Sequence, residues 1–90
     1  MSCSALDWEA ALKRRQYERE YREFVQRLKR ARMDAGITQE AAAKAFGVPQ
    51  SFISKCESGE RRVDVVELQQ FAKLYGRQLS DFLKPEIAKL

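Results

Sequence analysis

At 90 residues the chain is one domain's worth of sequence, and its 44% hydrophobic and 33% charged residues are the mixture of a folded protein rather than a disordered one. There is no histidine, which excludes Ser-His-Asp and Cys-His nucleophilic machinery and every imidazole zinc site, and two cysteines cannot form a four-thiolate site within one chain. The net charge of +4 and a pI of about 9.3 lean toward polyanionic partners. A chain this short buries a modest core, so dimerisation is an expected support. The opening MSCSALDWEAALKRR has no apolar stretch of the secretory kind, and no run approaches the ~18 apolar residues of a membrane span. The expectation is a cytoplasmic protein with no membrane partner, reduced thiols and no metal or cofactor. Cys56, within a helical pattern, reads as a small buried hydrophobe.

In chain order every segment reads as helix, because β-branched residues are few and Gly and Pro occur only as punctuation. Trp8 and Leu12 are four apart, but the step from Leu12 to Tyr17 is five. The apolar face slips there, so residues 6–15 read as a separately packed or kinked arm, and residues 1–16 as an extension suited to self-association or to a partner protein. The domain proper is expected over residues 17–84. Tyr17, Tyr21, Phe24, Leu28, Ala31 and Ala35 step by four and three along one helix face, and Gly36 stops that helix. Thr38 is placed to N-cap a second helix that ends at Gly47. Pro49 opens a third, closed by Ser58-Gly59. Asp64 with Glu67 three residues on resembles a capping box. It precedes a fourth helix with Val65, Leu68, Ala72 and Tyr75 on its apolar face and Gly76 as its stop. Leu79 to Leu83 makes a short fifth helix, interrupted by Pro85, and residues 85–90 are a tail. The predicted fold is all-α, with five helices and an N-terminal helical arm.

The charge is concentrated. Residues 13–32 carry nine Lys/Arg against Glu18, Glu20 and Glu23, whereas residues 33–90 carry eight of each sign. Two readings stay open. One is a solvated helix face with pairs at helical spacing, such as Glu18–Arg22 and Glu23–Arg27. The other places Lys29, Arg30 and their neighbours near a phosphate backbone.

Gln39 to Ser58 is the most informative segment. Two short helices are separated only by Gly47-Val48-Pro49, a connection that forces them to cross and to share a small core. The first must be small where the second crosses it, and Ala43 is. Ala42, Phe46, Val48, Ile53 and Cys56 supply apolar anchors for the joint, and Gly47 tolerates the positive φ that the turn needs. The second helix keeps Gln50, Ser51, Ser54 and Lys55 outward. These are polar, short to medium in length and mostly uncharged, as befits a helix that meets base edges.

The run ITQEAAAKAFGVPQSFISKCESGER resembles the helix-turn-helix of the phage repressor/Cro-like, or XRE, family. The likeness extends from about Phe24 to Leu83. Three positions depart from the family's pattern: Val63 stands where proline is frequent, and Ala42 and Cys56 stand where larger aliphatics are usual, leaving Phe46 and Phe52 to fill space. By resemblance Gln39 meets a phosphate and braces Gln50, while Gln50 and Ser51 reach base edges. Lys55 reads guanine or holds a phosphate, with Ser54 beside it. Phe52 is either core or a contact to a thymine methyl. Ser58, Arg61 and Arg62 touch the DNA backbone, unless the two arginines are simply an exposed loop. Arg32 and Glu57 pair across the domain as a structural brace.

The resemblance implies a sequence-specific regulator of transcription, a repressor, that binds double-stranded DNA as a homodimer. The alternative is an antitoxin or other protein-interaction module of the same fold, using Trp8, Leu12 and Tyr17 as its partner surface. No carboxylate pair lies in a recognisable catalytic context, so enzymatic activity is not expected.

Overall fold

The computed structural model describes the backbone of residues 4–83 and the side chains of residues 13–83. Trp8, Leu12, Cys3 and the tail 85–90 raised expectations that lie outside the described side chains. Four α-helices follow one another: α1 (Ser4–Asp34), α2 (Gln39–Phe46), α3 (Gln50–Ser58) and α4 (Val65–Tyr75). A single 3-10 turn, Leu79–Phe82, comes after them, and no strand occurs among the described residues.

Two expectations are corrected. The fifth helix is that 3-10 turn. Its Gln78 N–H donates to the Asp81 carboxylate at 2.9 Å, and the Asp81 N–H donates back to the Gln78 carbonyl at 3.0 Å. Four residues cannot propagate the longer α ladder, and the tighter i→i+3 bonding suffices to swing Phe82 into the core. The arm is not a separate helix: α1 runs unbroken for 31 residues through the slip between Leu12 and Tyr17. The stretch Glu9 to Gln16 is rich in Ala, Leu, Lys, Arg and Gln, all strong helix formers, so the backbone continues where the apolar face does not.

The core draws on every element. Leu28 and Ala31 of α1, Ala42 and Ala43 of α2, Ile53 and Cys56 of α3, Phe71, Ala72 and Tyr75 of α4, and Phe82 are buried together. Small residues from α2 and α3 leave room for rings. Phe46 packs on Phe71 with centroids 4.6 Å apart, Phe71 on Tyr75 at 5.7 Å, and Phe24 meets Phe82 edge-on at 6.5 Å. On α4 the buried anchor is Phe71, whereas Val65 remains 64% exposed because the first turn of the helix overhangs the core.

The caps follow local chemistry. Thr38 Oγ1 accepts the Ala41 N–H at 3.0 Å, and Gly47 closes α2 at φ 72°. Asp64 accepts the Glu67 N–H at 2.7 Å while Glu67 accepts the Asp64 N–H at 3.1 Å, a complete capping box.

Candidate nucleic-acid interface

The turn between α2 and α3 sets the site. Gly47 donates to the Lys44 carbonyl at 3.2 Å and Val48 to the Ala43 carbonyl at 3.0 Å, so the chain turns within three residues and Pro49 leads directly into α3. Ile53 and Cys56 are fully buried, which fixes the rotation of α3 about its axis. Gln50, Ser51, Ser54 and Lys55 are consequently all exposed on its other side.

A polar chain links that surface to the interior. Arg32 Nε donates to Glu57 at 2.6 Å, Nη2 to the other carboxylate oxygen at 3.2 Å, and Nη1 to the Ile37 carbonyl at 2.7 Å. The side chains of the pair are only 10% and 4% exposed, so its hydrogen bonds must replace those lost to water. Glu57 also accepts from Gln39 Nε2 at 3.0 Å. Gln39 Oε1 in turn accepts from Gln50 Nε2 at 3.3 Å. The first residue of α3 is thus held, through the first residue of α2, by a buried ion pair.

The other end of α3 is built differently. Ser58 Oγ donates to the Lys55 carbonyl at 3.2 Å and closes the helix. Arg61 lies 4.3 Å over the Phe52 ring, and its Nη1 reaches Glu67 at 2.9 Å and the Arg62 carbonyl at 3.0 Å. Arg62 lies 4.3 Å over the Tyr21 ring and 5.4 Å over Tyr17, and donates to Glu18 at 3.0 Å. Both guanidiniums thus rest on aromatic faces with a carboxylate partner. Phe52, half-buried beneath Arg61, packs against the core. Glu18 is engaged by Arg62, 44 residues away, instead of by Arg22 one turn along the helix.

Tyr21 is the residue here that sequence reasoning assigned only to an apolar face. Its hydroxyl accepts the Val63 N–H at 2.8 Å and donates to the Arg61 carbonyl at 3.4 Å, tying the exit loop of α3 to α1. Proline at position 63 has no N–H to give, so the valine and the tyrosine are one device. The signal was a hydroxyl on an apolar stripe, which Tyr17 shares.

Among the described residues no group of acidic, cysteine or histidine side chains could hold a metal ion, and no helix is long and apolar enough to cross a membrane. No curated protein and no solved structure matches the chain. A family model described as a helix-turn-helix domain matches residues 23–82, two thirds of the sequence. That span contains all of α2, α3 and α4, together with Arg32, Glu57, Gln39 and Gln50. The chain belongs to the helix-turn-helix domain family of the XRE-like type.

Proposed function

We propose that the protein is a sequence-specific regulator of transcription, a repressor, that inserts α3 into the major groove of double-stranded DNA. It works as a cytoplasmic homodimer on a pseudo-palindromic operator, without catalytic activity. The observation that carries this reading is the hydrogen bond from Gln50 to Gln39, anchored through Glu57 to Arg32. It leaves Gln50 with one amide hydrogen and its carbonyl oxygen to spend, the donor–acceptor pair that matches adenine N7 and N6. Gln39 likewise keeps one amide hydrogen beside the free N–H groups at the start of α2, a donor set suited to a phosphate oxygen. Ser51 and Ser54 are short donors and acceptors for neighbouring base edges, and Lys55 takes guanine or a phosphate. Ser58, Arg61 and Arg62 lie along the backbone, where an arginine exchanges its carboxylate partner for a phosphate. One recognition helix covers few base pairs, and a two-fold dimer doubles the contacts, with half-sites about 34 Å apart.

Selection of bound duplexes from a random pool tests this, the expected product being an inverted repeat. On that operator, Gln50→Ala lowers specific affinity roughly ten- to a hundred-fold and relaxes preference at one base pair per half-site, with melting and non-specific binding unchanged. Unaltered affinity and base preference would remove α3 as the reader and favour the protein-partner function.

A further inference from the structure

The basic excess of residues 13–32 is not spread around α1. Within the helix Arg15, Arg22 and Lys29 recur at seven-residue intervals, nearly two full turns each, so they form one ridge that drifts only about 20° per step. All three are exposed. The ridge spans about 21 Å at helical rise. Contacts fix where it lies. At one end of this flank Arg32 holds Glu57 of α3, and at the other Glu18 holds Arg62 in the loop that leaves α3. Midway, Arg22 shares a shallow depression with Ser58, Gly59 and Arg62. The acid on this flank between residues 13 and 33 is Glu18, and Arg62 already balances it. The opposite flank carries Lys13, Arg19, Arg27 and Arg30 against Glu20, Glu23 and Asp34, and Asp34 is paired with Arg77. One side of α1 is therefore close to neutral, and the side along α3 is cationic throughout.

We infer that Arg15, Arg22 and Lys29 form a second phosphate-binding ridge, on which the backbone of the duplex bound by α3 rests beside the base-reading contacts. This rests on the DNA-binding function proposed above, and deepens it by naming the residues that supply sequence-independent affinity. Charges along a stiff helix suit a rod of regularly spaced phosphates, and each neutralised phosphate releases condensed counterions. Arg15 and Arg22 lie upstream of the family-matched span, so this part of the affinity belongs to the extension of α1.

The test uses the full chain, titrated on its selected operator and on an unrelated duplex across a range of salt. Arg15→Gln/Arg22→Gln is compared with the charge-matched Arg27→Gln/Arg30→Gln from the neutral flank. The first pair flattens the salt slope by about two units on both duplexes and leaves the ranking of operator variants unchanged. The second leaves the slope as it was, and Arg15→Lys/Arg22→Lys, which keeps the charge, restores it. Equal flattening by both Gln pairs would reduce the ridge to net charge and overturn it. An unchanged slope in the first pair, with operator still bound, would overturn the ridge while leaving the reading of α3 intact. A wild-type chain that binds neither duplex would instead overturn the DNA-binding function itself. Arg→Gln changes at Arg15, Arg22 and Arg30, all exposed, and at the half-buried Arg27 keep a strong helix former, and thermal melting of each variant verifies that the domain is folded.

Discussion

Arg32–Glu57 and Arg62–Glu18 are the same chemistry in two settings. Both join α1 to the region of α3, at 2.6 Å and 3.0 Å. The side chains of the first are 10% and 4% exposed, those of the second 50% and 49%. In the first, removal of either partner strands a charge away from water. In the second, water replaces whatever is lost. Distance alone therefore says little about what a pair does: the inner one is a fixed brace, the outer one an exchangeable contact. The Tyr21–Val63 link stands between them, half-buried and uncharged.

That gradient orders the expected effects. Glu57→Ala has the largest: it leaves the Arg32 guanidinium buried without its carboxylate, at a cost of roughly 3–5 kcal/mol. The melting temperature falls by about 10 °C or more. It also frees Gln39, so base preference at the Gln50 position blurs in any fraction still folded. A wild-type melting temperature would mean that the pair is not a brace. Tyr21→Phe comes next. It leaves the Val63 N–H without its acceptor, for about 1–3 kcal/mol. Val63→Pro removes the donor instead, and the double variant costs less than the two singles added, because they break one bond between them. Additive losses in denaturant titrations would show that the link carries no energy. Glu18→Gln has the smallest effect on folding, with melting unchanged, since the pair it breaks is open to water. It releases Arg62, so affinity for any duplex rises modestly and more at low salt. A clear loss of stability would erase the contrast between the two pairs.

What the sequence made legible were features whose cause is local. Thr38, Gly47 and the Asp64–Glu67 box lie within three or four residues of the groups they satisfy, so residue type and spacing announce them. The joint between α2 and α3 was legible for the same reason, with a three-residue turn and small or apolar residues at its contacts. The pairing of Glu18 with Arg62 was not, because 44 residues of chain separate them and any nearby arginine fits the pattern equally well. Phe71 and Val65 changed places as anchors on α4 because periodicity identifies a stripe but not where the core beneath it ends. The stacking of Arg61 on Phe52 likewise depends on how the loop folds back, which spacing does not encode. The exposed set Gln50, Ser51, Ser54 and Lys55, proposed above to read bases, was open to sequence reasoning as the complement of Ile53 and Cys56, the residues that turn it outward.

Cys56 makes that same geometry a chemical clock. Its side chain is wholly enclosed at the joint, and burial above all pushes the thiol pKa up from 9.0, with Glu67 and Glu57 adding to the rise and Arg61 opposing it. Nucleophilic attack needs the thiolate, so in the closed joint the sulfur is both inaccessible and protonated. It reacts when α3 lifts from α2, which makes its labelling rate a direct reading of how often α3 comes loose. Alkali shifts that balance. From about pH 9 upward the unfolded chain releases this proton while the folded chain still holds it, so folding loses ground as pH rises until the enclosed thiol titrates as well.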